Sequence, residues 1–244
     1  MKLSGKMADM QMSSQSLKKA VPIIRYLPPN YNQQSSYPVL IVLDGRDYLQ
    51  IGRLASLVDE WVTKQLIRPV IIAALPYENI SSRWQQYHPD GAGFIDFQRM
   101  LGTELLPFLA AQLAIRREPE AHTMIGDSLA GICSLLTALA YPMVFGKVVM
   151  QSPFVNQTVI DQVAAAGSAA QSLTIFHSIG RKETTVKTTR GTIENFLDPN
   201  RRLSQLLSHL QPENYTYMEN GGAHLWRSWQ RAIPSLLLDQ YSIR

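Results

Sequence analysis

From Val21 onward, short apolar runs alternate with longer stretches of helical periodicity, and no other feature of the chain narrows the fold as far. Residues 39–43 form a continuous apolar run that follows Tyr37-Pro38 and ends at Asp44-Gly45, which predicts a strand closed by a turn. Leu54, Leu57, Val58, Trp61 and Val62 recur at the spacing of one helix face. Residues 70–75 are again apolar throughout, the mark of a strand covered on both sides. A helical stretch at 94–115, with a break or kink expected at Gly102 and Pro107, leads to a strand at 123–125 and a helix at 129–140. The pattern continues with strands at 148–150, 173–176 and 215–218 and helices at 159–166, 203–210 and 225–238. Such alternation predicts an α/β fold, a mostly parallel central sheet with helices on both faces. Sites in these folds gather at the C-terminal ends of the strands.

With 244 residues, 45% hydrophobic and 17% charged, the chain has the composition of a globular domain that buries a large core. Residues 1–19 are expected to form a flexible N-terminal extension and residues 20–244 a single domain. The extension lacks the apolar core of a secretory signal, and no apolar run approaches the ~20 residues that cross a bilayer. A soluble, cytoplasmic protein without a membrane partner is expected. One cysteine, Cys133, excludes an intrachain disulfide and a cysteine-built zinc site. The formal charge of +4 is scattered, with one local cluster at Arg181, Lys182, Lys187 and Arg190, so no nucleic-acid partner is expected. The oligomeric state stays open, a homo-oligomer included.

Gly126-Asp127-Ser128-Leu129-Ala130-Gly131 spans the junction from the predicted strand at 123–125 into the helix that begins at Leu129. A serine at a strand-to-helix turn is held in a strained backbone conformation, and small residues two before and two after it let the chain pass. Gly126 meets the first demand; Ala130 meets the second with a methyl group where glycine is commoner. An ordinary Gly-x-Ser turn has the same five residues, but the flanking strand and helix make Ser128 the candidate nucleophile. The amide of Leu129 then falls at a helix N-terminus, where free N–H groups and the dipole favour negative charge. A serine needs a base. Among five histidines, His224 follows the last predicted strand and Gly221-Gly222 and precedes the last helix. His88, His122, His177 and His209 show no metal-ligand spacing and read as structural or surface positions. An orienting carboxylate is expected between serine and histidine in chain order. Glu183, just past the strand at 173–176, is the first candidate and Asp198 its rival; a surface glutamate in a basic loop is the plainer alternative.

Several phrases stand in a fixed order along residues 20–241: Tyr26-Leu27-Pro28-Pro29-Asn30-Tyr31, Tyr37-Pro38-Val39-Leu40 through Leu43-Asp44-Gly45, and Leu101 with Glu104-Leu105 and Pro107. Gln151-Ser152-Pro153, Gly180-Arg181-Lys182-Glu183, and Gly221-Gly222-Ala223-His224 with Trp229 complete the series. Together they resemble the enterochelin esterase-type, esterase D-like family of α/β hydrolases. The resemblance implies an α/β-hydrolase fold and a serine esterase acting on a small-molecule ester, with no cofactor or metal. It puts Glu183 where the family carries its acid. Two departures stand out: Leu225 replaces the aspartate that usually follows the histidine, and Gln86 replaces the acid of the Arg-x-x-Glu-x-x-Pro loop, present here from Arg83 to Pro89.

The expected chemistry is attack by Ser128 on an ester carbonyl, proton transfer by His224, and orientation of the imidazole by Glu183. The oxyanion is expected at the amide of Leu129 and one from the turn at Gly45 and Arg46. The resemblance also suggests a strongly anionic siderophore-type ester, which calls for cations at the mouth of the site. Arg83 and Trp84, in the family's pocket loop, are the candidate substrate-binding residues, because Gln86 cannot neutralise Arg83; Arg46 and Arg181 follow. Two other readings remain at this point: an acyltransferase using the same triad, and a hydrolase-like binding protein that has lost activity.

Overall fold

The structure, a computed structural model, describes residues 3–243. Two antiparallel strands, β1 (Lys6–Ser14) and β2 (Lys19–Leu27), precede β3 (Val39–Leu43), the helices α1 (Gly45–Gln50) and α2 (Leu54–Thr63), and β4 (Ile71–Leu75). Next come α3 (Ile80–Tyr87), α4 (Phe94–Met100), α5 (Leu106–Ala110), β5 (His122–Asp127), α6 (Ser128–Ala140) and β6 (Lys147–Gln151). The chain continues through α7 (Gln157–Ala166), β7 (Thr174–Gly180), a small hairpin of β8 (Val186–Lys187) and β9 (Ile193–Glu194), α8 (Leu197–Leu210), β10 (Asn214–Asn220) and α9 (Trp226–Tyr241). Eight strands make one sheet in the order β1-β2-β4-β3-β5-β6-β7-β10, parallel from β4 to β10. This is the α/β-hydrolase type of fold.

The continuous apolar runs have a simple cause. Successive side chains of a strand point to opposite faces, so a strand buried on both needs apolar residues at every position. On β3, Val39, Ile41 and Leu43 join the layer that contains α4 to α8, while Leu40 and Val42 join the layer built from α1, α2 and α9. The parallel strands β3, β5, β6 and β7 end on one side of the sheet, and the loops there carry the candidate site residues.

One sequence expectation is corrected, and the break expected near Gly102 takes a definite form. Residues 1–19 are not simply an extension: Lys6–Ser14 is the edge strand of the main sheet. Ala8, Met10, Met12 and Ser14 turn inward while Asp9, Gln11 and Ser13 face solvent, a period of two written in polar and apolar residues alike. The buried Asp59 on α2 anchors its start, accepting hydrogen bonds from Ser4 N (2.9 Å), Gly5 N (2.6 Å) and Tyr26 Oη (3.0 Å). The stretch at 94–115 divides into α4, a π-helical turn at Leu101–Leu105, and α5. A Cβ on Gly102 would lie 2.5 Å from the ring of Tyr141, so the turn widens where that ring packs.

Because three donors converge on one buried carboxyl, Asp59→Ala is expected to destabilise the fold by about 2–3 kcal/mol. Urea unfolding measures it, and hydrogen exchange should show faster exchange in β1. An unchanged midpoint with unchanged β1 exchange would contradict the anchoring role.

Candidate active site

β5 passes into α6 without an intervening loop, and the constraint is visible at each residue. Ser128 has φ 52°, the left-handed region that a non-glycine residue enters only when its surroundings hold it there. A Cβ on Gly126 would lie 2.3 Å from the carbonyl carbon of Ala130, so no side chain fits. Ala130 itself is fully buried with its methyl accommodated. Phe154 N donates to Ser128 O at 3.0 Å, which pins the turn to the chain leaving β6.

Above the turn, His224 Nε2 lies 3.2 Å from Ser128 Oγ, and His224 Nδ1 lies 2.6 Å from Glu183 Oε2. The other oxygen of Glu183 accepts from Ser152 Oγ (2.7 Å) and Gly180 N (2.8 Å), and Ser152 Oγ accepts from Trp229 Nε1 (2.9 Å). Glu183 is 1% exposed, yet both its oxygens have partners. Burial without such partners would be costly for a carboxyl.

The loop of Glu183 and the loop of His224 are tied to each other by main chain. Arg181 N donates to Asn220 O (2.8 Å) and Lys182 N to Gly222 O (3.0 Å). A Cβ on Gly180 would lie 2.4 Å from Gly222 O, so this crossing requires glycine. The imidazole is flanked by Phe196 (centroids 4.3 Å apart) and by the edge of Trp229 (4.9 Å). Asp198, the rival acid, stands exposed at the start of α8, bonded to Asn195 and near Arg201. The structure therefore brings Ser128, His224 and Glu183 together and leaves Asp198 outside.

Leu129 N sits in the first turn of α6, and Gly45 N and Arg46 N in the first turn of α1, positions with no acceptor from their own helix. A Cβ on Gly45 would lie 2.6 Å from Leu75 N, so this turn packs directly on β4. The side chain of Arg46 lines a separate cavity with Lys19, Glu78 and Tyr87. Arg181 is exposed and does not line the cleft.

A cleft of about 390 Å³ opens over Ser128 and His224. Arg83 and Trp84 both line it, but Arg83 is not the free cation that the sequence leads one to expect. Asp44 supplies the negative charge that Gln86 lacks: Arg83 Nε donates to Asp44 Oδ1 (2.8 Å) and Oδ2 (3.0 Å), and Nη2 to Oδ2. Such paired donors match a carboxylate closely and leave little free charge for a ligand. Trp84 stacks on His88 (4.6 Å), and His88, Phe154 and Phe196 continue the aromatic wall towards His224. From the β8–β9 hairpin, Lys187 and Arg190 face the same cleft, with the Arg190 guanidinium 4.6 Å over the Trp84 ring. Ser152, Trp229 and the Asp44–Arg83 pair have no role in the sequence reading. The phrase Gln151-Ser152-Pro153 and Trp229 were the available signals, but a partner of a partner has no spacing rule of its own.

Ser152→Ala removes one donor to Glu183 and strands the buried indole N–H of Trp229. An expected loss of about 1–3 kcal/mol in unfolding free energy is measurable by urea denaturation. A change near zero would show that the Ser152 contact is dispensable.

The chain is 37% identical over 234 residues to the uncharacterized protein YjcH of Bacillus subtilis (strain 168), covering 96% of this chain and 97% of that one. An enterobactin esterase of Shigella flexneri, solved in the presence of enterobactin, superposes with a TM-score of 0.82 at 18% identity; the match covers 96% of this chain but 58% of that one. A solved ferulic acid esterase gives a TM-score of 0.80 at 17% identity, with 98% of each chain covered. The family described as "Putative esterase" matches residues 14–239. The chain belongs to this esterase family.

Proposed function

We propose that this member of the esterase family hydrolyses carboxylic esters through an acyl-enzyme, with Ser128 as nucleophile, His224 as base and Glu183 as the orienting acid. The observation that carries the reading is the unbroken line from Ser128 Oγ through the imidazole to the buried carboxyl of Glu183. His224 takes the hydroxyl proton as Ser128 attacks the carbonyl, and Glu183 holds the Nδ1–H tautomer and stabilises the imidazolium that forms. Negative charge on the carbonyl oxygen is met by Leu129 N–H and by an N–H of Gly45 or Arg46. Collapse expels the alcohol with the proton from His224, and water repeats the sequence on the acyl-enzyme.

The substrate is a bulky ester of the siderophore type. An enterobactin esterase and a ferulic acid esterase are among the solved proteins that share the fold, and the aromatic wall from Trp84 to Phe196 offers ring faces to such a molecule. Arg83 is neutralised by Asp44, so Lys187 and Arg190 are the cations available to an anionic substituent.

Ser128→Ala and His224→Ala are each expected to lose on the order of 10⁴-fold or more in turnover of an aryl ester, with little further loss in the double variant, because the groups act as a unit. Near-wild-type hydrolysis by folded Ser128→Ala would end the proposal. For the acid, Glu183→Gln should be far more damaging than Asp198→Asn; the reverse order would remove Glu183 from its role. For the substrate, Arg190→Gln should raise KM for an anionic ester well above its effect on a neutral ester of similar size, and added salt should weaken the anionic ester selectively. Equal effects on both esters would leave Arg190 without a part in recognition.

A further inference from the structure

The residue before the nucleophile is the least explained group near the cleft. Asp127 is 3% exposed, and its Oδ1 is shut off from solvent with no hydrogen-bond partner among the described residues. It occupies the N-cap position of α6, yet its side chain makes no cap hydrogen bond to the helix. The nearby guanidinium is already committed. Arg83 spends its Nε and Nη2 on Asp44, which is 2% exposed, and reaches only the main-chain oxygen of Asp127, at 3.5 Å. Two buried carboxyls thus share one cation. The other charged or titratable neighbours do not help: Asp47 and Tyr48 on α1 add further negative or neutral groups, and the Tyr48 hydroxyl donates to Gln151 Oε1. On α3, Tyr87 packs beside Asp44.

We infer that Asp127 works as a neutral carboxylic acid, a positioning residue that keeps the site of the developing oxyanion free of competing negative charge. The inference rests on the proposed serine-hydrolase reading and deepens it. One carboxylate, Asp44, balances Arg83; a second charge at Asp127 would stand unpaired in a buried space, and a carboxyl so placed keeps its proton. Burial, followed by the repulsion of Asp44 and against the attraction of Arg83, pushes Asp127 well above the usual carboxylate range. The functional consequence follows from location. Asp127 directly precedes Ser128, at the N-terminus of the helix whose Leu129 N–H is proposed to receive the oxyanion. In a buried site with an effective dielectric of about 20, a unit charge beside the helix N-terminus would oppose that oxyanion by an amount on the order of tenfold or more in rate.

The sign of the linkage sets the test. A carboxyl with a raised value in the folded state binds more protons folded than unfolded, so its contribution to stability falls as pH rises from the ordinary carboxylate value towards the raised one. Asp127→Asn keeps the shape and removes the dissociable proton. Its unfolding free energy should be flatter with pH than that of the wild type over this range. Its rate, relative to its own value at neutral pH, should persist into the alkaline range where the wild-type rate declines. An identical pH slope of stability in the two proteins would overturn the inference. So would the same alkaline decline in both. Should Asp127→Asn fail to fold, the infrared spectrum of the wild type at neutral pH decides: a protonated-carboxyl band supports a neutral buried acid, and its absence overturns it. The stability and infrared arms do not depend on turnover, so they can succeed even if Ser128→Ala shows that the hydrolase reading is wrong.

Discussion

Everything at the candidate site depends on how closely β5 and the first turn of α6 approach each other. The carbonyl carbon of Ala130 comes within 2.3 Å of where a Cβ on Gly126 would be, and that close approach lets the chain reverse from strand to helix within one residue. Ser128 accepts a left-handed backbone as the consequence. Such strain persists only where surrounding contacts over-determine it. Here they are the ladder of β5 between β3 and β6, the almost wholly buried α6, and the bond from Phe154 N to Ser128 O. The result is a hydroxyl held at the end of the sheet, at the positive end of a helix dipole.

The second half of the site is built by loops, and loops need a different kind of support. Glu183 and His224 come from the ends of the neighbouring strands β7 and β10, and main-chain bonds lace their loops together at Asn220 and Gly222. The buried carboxyl then becomes the hub of side-chain bonds from His224 and Ser152, with Trp229 behind Ser152. Because Trp229 belongs to α9, the last helix of the fold is coupled to the orientation of the imidazole. The cleft beside this hub separates charge by depth: Asp44 and Arg83 cancel near the serine, while Lys187 and Arg190 stand on the hairpin at its edge.

How much of this was legible in the sequence depended on whether a feature had a period or a local rule. The parallel strands announced themselves because burial on two faces demands unbroken apolar runs such as residues 39–43. Ser128 and His224 stood at positions where a strand-to-helix turn and a glycine pair carry physical meaning. The edge strand β1 was harder, since its polar outer face and methionine-rich inner face make a weak signal at a terminus. Arg83 shows the limit most clearly. Gln86 on the same helix invited the conclusion that the arginine was free, whereas its partner Asp44 lies 39 residues away and meets it only in the fold. Ser152 was hidden for the same reason: its contact with Glu183 spans 31 residues and two loops.

The proposed ester hydrolysis stands or falls on whether Ser128 is an activated nucleophile. Covalent labelling with a fluorophosphonate followed by peptide mass spectrometry addresses that without any assumption about the natural ester. A single phosphonyl adduct on Ser128 is expected at neutral pH, formed much more slowly when His224 is replaced by alanine. No adduct on the folded protein, or an adduct on another serine with Ser128 unmodified, would contradict it.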